Sequence, residues 1–300
     1  MNHLISCPLC SSESIHFLYR CRDNLVTRKE FDIYACSECR ICFTQDRPDE
    51  NDISGYYESD EYVSHDDKAK GFLNRIYFLS RNFMIQKKRI IVEKASGVSN
   101  GTLLDIGCGT GHFAGTMKKE GWIVTGIEPN KKAAEYATAS FGLDVFGPGR
   151  IKSLPDSSYD CITLWHVLEH FYDPVDYMKD IYRLLKPDGT CFIALPNCSS
   201  ADAEYYKSSW AAWDVPRHLW HFNPESFVQF TGSCGFHIIG VKRLPLDVFY
   251  ISVLSEKQRR SRMAIAKGFL SGIRFSLISI RDINKCSSLV YFVKKQHKPE

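Results

Sequence analysis

Residues 165–174 read WHVLEHFYDP and hold a His-x-x-Glu-His spacing made by His166, Glu169 and His170. Ligands of these types can bind a divalent cation when the histidines project from one long helix, as in zinc hydrolases. Here they follow a β-rich run, and Asp173-Pro174 opens the next helix, so that context is missing. The residues favour a loop in which Glu169 and His170 act as hydrogen-bonding supports and His166 faces a pocket. The alternative is a metal held by His166, Glu169 and His170.

A stronger signal is LLDIGCGTGHF, where a short apolar run leads into Gly107, Gly109 and Gly111 and then into a helix. Glycines let the backbone turn and approach a ligand closely. The place just beyond a strand's carboxyl end is where open α/β sheets bind nucleotides. The spacing is Gly-x-Gly-x-Gly, not the Gly-x-Gly-x-x-Gly of dinucleotide folds. Asp105, two residues before the first glycine, would serve a pyrophosphate poorly and a cationic, amino-acid-bearing cofactor well. Glu128 ends the next strand, where a carboxylate can accept both hydroxyls of a ribose. A ribose acceptor, a second carboxylate and no phosphate cradle describe S-adenosylmethionine.

Two Cys-x-x-Cys pairs, Cys7/Cys10 and Cys36/Cys39, lie near the N-terminus. Four thiolates so spaced can close a tetrahedral structural zinc site. Cys42 leaves the register open, because Cys39-x-x-Cys42 is also a knuckle. So short a segment has little core of its own, and metal would supply folding energy.

These residues need elements to hold them. GTLLDIG, WIVTGIE, LDVF, YDCITLWHV and TCFIALPN read as strands, and helical runs lie between most of them. Helices between strands imply parallel crossovers and an open α/β sheet covered on both faces. Residues 70–96 read as a helix, PESFVQFTGSCGF as another, and HIIGVKRL and SSLVYFVKK as the last strands. The expected division is a zinc-ribbon-like module over 1–48, a linker and helical lid over 49–99, and an α/β domain over 100–300 with a helical insert at about 252–284. Within 49–99, the aromatic-polar stretch YYESDEYVSH is read as a lid over the cofactor or as a cap on the first helix.

Hydrophobic content of 44% and charged content of 24% fit a soluble globular chain, and a net charge of +3 is too small to argue for nucleic acid. No apolar run of about 18 residues marks a transmembrane helix, and the first ten residues do not read as a signal peptide. A cytoplasmic, reducing location is therefore expected, in which paired cysteines serve metal.

LLDIGCGTG, GIEPN, LPDSSYDCITLWHVLEHFYDP and LLKPDGTCFIALPN together resemble the class I S-adenosylmethionine-dependent methyltransferases, over about residues 101–245. The resemblance implies a Rossmann-like, mostly parallel seven-stranded sheet with an antiparallel last strand. It implies that Asp105, Gly107, Gly109 and Gly111 contact the methionine part and Glu128 the ribose. The adenine loop falls near GRIKSLP, with Ile151 as its candidate contact, although no strong acid follows the third strand as it does in many members. It also places WAAWDVPRHLWHF over the acceptor. His166 and His218 are then candidates to take a proton from an acceptor hydroxyl, since imidazole titrates near neutrality.

A cysteine ribbon before such a domain resembles both sugar methyltransferases and ribosomal RNA base methyltransferases. The latter often carry Asn/Asp-Pro-Pro-aromatic after the fourth strand, where this chain has LWHV, and the ribbon here is not basic. The expectation is a small-molecule or glycan-linked acceptor, methylated on a hydroxyl, in secondary or surface-polysaccharide metabolism. A non-catalytic cofactor-binding protein is the reading from another class. The basic, amphipathic SEKQRRSRMAIAKGFLSGIRFSLISIR suits peripheral membrane contact, or else a core or dimer helix.

Overall fold

The computed structural model describes residues 3–57 and 72–296. Most of the expected lid stretch, residues 58–65, lies outside the described residues.

A seven-stranded sheet forms from β4 (Thr102–Ile106), β5 (Ile123–Ile127), β6 (Asp144–Phe146), β7 (Tyr159–Trp165), β8 (Leu185–Pro196), β10 (Phe236–Arg243) and β11 (Ser288–Lys295). Its order is β10-β11-β8-β7-β4-β5-β6. Strands β4 to β8 pair in parallel, and β11, the last strand, runs antiparallel to both its neighbours. This is the open α/β sheet that the alternation of strands and helices implied, in the Rossmann-like arrangement with an antiparallel last strand that the family resemblance implied. The central strands are buried on both faces, which is why they read as continuous apolar runs.

Several covering helices begin or end where the sequence supplies caps. Helix α1 is Phe72–Ser96 and α2 is His112–Lys119. Helix α3 (Lys131–Phe141) starts on Asn130, whose side chain accepts from the Ala133 N–H, and stops at Gly142 with φ 64°. Asp173 caps α4 (Pro174–Leu184). Helix α5 is Ala201–Tyr206, and Asn223 with Ser226 forms a capping box on α6 (Pro224–Ser233).

The cysteine segment folds as β1 (Ile15–Arg22), β2 (Glu30–Cys36) and β3 (Cys42–Thr44). This small antiparallel sheet is completed by β9 (Trp220–His221), which comes from the loop after β8. Ile41 and Phe43 share a core with Leu104, Ile193, Leu219 and Trp220, so the two sheets pack as one body.

The insert between β10 and β11 is a helical hairpin, α7 (Asp247–Gln258) and α8 (Ala264–Arg281), starting earlier than the basic run suggested. A Cβ on Gly268 would lie 2.5 Å from the Val253 Cα, and one on Gly272 2.5 Å from the Phe249 ring, so both glycines are there to let the helices touch. No helix among the described residues is long and apolar enough to cross a membrane.

Candidate functional site

The loop after β4 carries the glycines, each with positive φ: 72° at Gly107, 54° at Gly109 and 78° at Gly111. A Cβ on Gly107 would stand 2.4 Å from a Val167 methyl, whereas one on Gly109 would meet nothing within 4 Å. Gly107 thus lets the loop close on the end of β7, and Gly109 faces open space. Asp105, on β4, is 1% exposed. Its Oδ1 accepts from the Thr163 hydroxyl at 2.7 Å. Burial pushes its carboxyl up to about 7, against Thr163 and the Lys88 ammonium. Such a carboxylate gains most from a cationic ligand. Glu128, at the end of β5, accepts from the Gly109 N–H through Oε2 and from the Asn130 N–H through Oε1, both at 2.8 Å. Those bonds fix its orientation and leave lone pairs for hydroxyl donors. Ile151 is buried in the main core, and its carbonyl accepts from Arg183.

The end of β7 carries the histidine motif. His166 has φ 59°, a left-handed conformation unusual for a side-chain-bearing residue. Its Nε2 lies 3.1 Å from Asp247 Oδ2, and its Nδ1 3.5 Å from Glu169 Oε1. Burial works against its charge, but the two carboxylates outweigh burial and hold its pKa at about 9. Asp247 is the first residue of α7 and is remote in sequence. Lys88 of α1 stands 4.5 Å from the Trp165 ring centroid; burial lowers its pKa, against the pull of Asp247 and Asp105.

Behind His166 lies a second cluster. One ligand atom each of Glu169, His170 and His218 falls within 4.8 Å of the others. His170 Nδ1 donates to the Arg217 carbonyl at 3.0 Å and His218 Nδ1 to the Ala212 carbonyl at 2.8 Å, while His218 Nε2 lies 4.0 Å from Asp214 Oδ2. Burial, with His218 beside it, pushes the His170 pKa down to about 4, so that imidazole is neutral. Glu169 is 1% exposed, and neither of its oxygens has a hydrogen-bond partner among the described residues.

A family model described as a methyltransferase domain matches residues 80–241. The chain belongs to that family. A ubiquinone biosynthesis O-methyltransferase of Vibrio campbellii is 33% identical over 118 residues, which cover 36% of this chain and 48% of the relative. A protein of the same description from Caulobacter vibrioides is 37% identical over 103 residues, 32% of this chain and 41% of the relative. The chain thus spans less than half the length of these curated relatives. Two solved structures share the fold. One is in the complex between the Haloferax volcanii Trm112 methyltransferase activator and a methyltransferase, with TM-score 0.51, 15% identity, and 75% of this chain and 96% of that chain covered. The other is described as a sarcosine dimethylglycine methyltransferase from Galdieria sulphuraria, with TM-score 0.50, 15% identity, and 70% and 84% covered.

Within this methyltransferase-domain chain, the tryptophan-rich loop differs from the expected acceptor wall. Trp210, Trp213, Trp220 and His221 are buried in the cores that join the small sheet to the large one. Their size and spacing served packing, and a sequence window does not separate that from a pocket. Arg217 is likewise internal. Its guanidinium donates to Asp214, to Asp23 in the β1–β2 turn and to the Tyr56 carbonyl. His218 is 9% exposed, with its ring packed edge-on against His170 at 4.6 Å. The structure brings Asp105, the glycines and Glu128 together on adjacent strand ends, with His166 just past the end of β7 beside them. It sets His218 against Glu169 and His170.

The cysteines converge as spaced. Cys7 Sγ lies 3.6 Å from Cys39 Sγ and Cys10 Sγ 3.6 Å from Cys36 Sγ, with all four within 4.8 Å. Sulfurs about 2.3 Å from one tetrahedral zinc are about 3.8 Å apart. Cys42 is buried on β3 outside this group, so Cys36 and Cys39 form the second knuckle. Lys88, Asp247 and Asp23 had no local motif to announce them, because each reaches its partners only through the tertiary fold.

Proposed function

We propose that this chain transfers a methyl group from S-adenosylmethionine to a hydroxyl of a small-molecule or glycan-linked acceptor. The observation that carries the reading is the buried Asp105 carboxyl beside an open glycine loop, with Glu128 oriented on the next strand. When bound, S-adenosylmethionine supplies an electrophilic methyl on a sulfonium. Asp105 would draw the cationic end of that molecule, Gly107, Gly109 and Gly111 would let it lie close to the backbone, and Glu128 would accept from the ribose. Ile151 remains the proposed adenine-side contact. The protein's main contribution is to align two reactants and exclude water. His166, oriented by Asp247, is the group proposed to hold the acceptor hydroxyl and take its proton, with His218 as the alternative base. O-methyltransferase relatives support a hydroxyl acceptor. The four-cysteine cluster is proposed to hold a structural zinc ion, with residues 1–48 as a zinc-ribbon-like module. We place the protein in the cytoplasm, acting on metabolites or glycan precursors and not on nucleic acid. Incubation with S-adenosylmethionine and candidate hydroxyl acceptors should yield S-adenosylhomocysteine and a product heavier by one methylene. Cofactor binding without turnover on any acceptor would favour a non-catalytic role.

The buried Glu169 carboxylate, which faces His166 at 3.5 Å but accepts no hydrogen bond among the described residues, favours a second reading of the acceptor side. Glu169, His170 and His218 would hold a divalent cation that polarises the acceptor oxygen. Manganese, which prefers oxygen and nitrogen to thiolate ligands, tests this in the full chain. One ion per chain by electron paramagnetic resonance, lost in Glu169→Gln, would establish it; free manganese throughout would leave these residues as supports.

A further inference from the structure

We propose that the outer face of the α7–α8 hairpin docks the protein on an anionic lipid surface. Helix α8 has two opposed faces. Gly268, Gly272, Phe275 and Ser279 are buried, and the two glycines seat the helix against α7. On the outside, Ala266, Leu270, Ile273, Leu277 and Ile280 recur every three or four residues and are all exposed, Leu270 and Ile280 at 65% each. Ile265 and Phe269 widen this apolar arc. A contiguous exposed patch of long aliphatic side chains on a soluble domain marks an interaction surface.

Charge decides what covers it. Residues 257–281 carry seven cations and no Asp or Glu, while the whole chain nets only +3. Lys267, Arg274 and Arg281 are exposed and follow one another at seven-residue spacing along one flank of the apolar arc. The acids that bracket the segment are already engaged: Glu256 is buried, and Asp282 caps the following turn. The hairpin's own carboxylates are Asp247, paired with His166, and Glu256, which is buried, so a second copy would set mainly like charges against the cationic row. A bilayer with anionic headgroups takes the apolar arc into its acyl boundary and the row at headgroup level. Helix α7 begins at Asp247, which touches His166, so docking would set the acceptor side of the site next to the lipid.

Full-length protein is sedimented with vesicles of phosphatidylcholine alone or mixed with phosphatidylglycerol. It should bind the mixed vesicles, bind the neutral ones far less, and release as salt rises. Lys267→Gln and Arg281→Gln should each weaken binding about fivefold, the effect of about 1 kcal/mol per basic residue. Leu270→Ser with Leu277→Ser should abolish it. All four positions are exposed, and unchanged thermal unfolding of the variants checks that they fold. Equal sedimentation with both vesicle types, no binding to either, or variants that bind as the parent does would overturn the proposal. So would a stable dimer that the Leu270→Ser, Leu277→Ser variant dissociates. Cofactor affinity measured without vesicles is a separate readout, so a failure here leaves the methyltransferase reading to its own test.

Discussion

Burial holds the Asp105 carboxyl at about 7, so at pH 6 most of the unliganded protein carries it as the neutral acid. A cationic ligand needs the carboxylate. Affinity for S-adenosylmethionine should therefore fall as pH drops below about 7, by up to about tenfold per unit, and level off above it. Calorimetry at pH 6 and pH 8 checks this. Asp105→Ala should cost about 1–3 kcal/mol at pH 8 and flatten the dependence. Unchanged binding in the variant would remove Asp105 from the cofactor site. His166 behaves oppositely, because its carboxylate neighbours keep it charged up to about pH 9. If it is the base, log kcat/KM should climb until about pH 9 in the parent and level off at lower pH in Asp247→Asn. His166→Ala should lower turnover about 10²–10⁴-fold with cofactor affinity nearly intact. Asp105, Glu128 and His166 were legible because each sits at a strand end in a local motif. Asp247 was not, because it meets His166 across 81 positions of chain.

The glycine loop and the cysteine sheet each rest on close contacts that a single substitution would disturb. Gly107→Ala would add a methyl where Val167 already stands 2.4 Å away, at a φ that side chains disfavour. The expected outcome is weaker cofactor binding and a lower melting temperature; a variant indistinguishable from the parent would mean that the loop relaxes freely. For the cysteine sheet, metal analysis should return about one zinc per chain. Cys7→Ser should lose it. The consequences should not stop at residue 48, because β9 pairs with β3, and Ile41 and Phe43 share a core with Leu219 and Trp220. Hydrogen exchange should rise through residues 210–221 as well as through β1 to β3. Confinement of the change to the first 48 residues would indicate an autonomous module.

Arg217 ties the small sheet to the loop that carries His218. It is 1% exposed and joins the β1–β2 turn, the segment at Tyr56 and the loop that carries His218. Removing it leaves the buried Asp23 without its guanidinium partner and Asp214 with only His218, at 4.0 Å, beside it. Arg217→Ala should destabilise by about 3–5 kcal/mol, read as a drop in denaturant midpoint. Burial opposes ionisation of Asp23 and Asp214, but their partners hold both carboxyls below the ordinary range. Their contribution is therefore complete at neutral pH and is lost as pH falls through the depressed folded-state values. A variant as stable as the parent would show that the small sheet is held by apolar contacts alone.

The sequence by itself determined the alternation of strands and helices, the glycine turn and the pairing of cysteines into knuckles. Each depends on neighbours within a few residues: apolar periodicity, positive φ, a thiol pair. Family membership followed from their order. Only the tertiary structure decided which cysteine stays outside the cluster, that the tryptophans fill a core, and that Arg217 is a clasp. It also set His166 against Asp247 and turned the basic run into a hairpin with an apolar outer face. Those outcomes depend on which distant surfaces meet. Burial is a property of the partner as much as of the residue, so a Trp, Arg or His spells the same letter whether it lines a pocket or closes one.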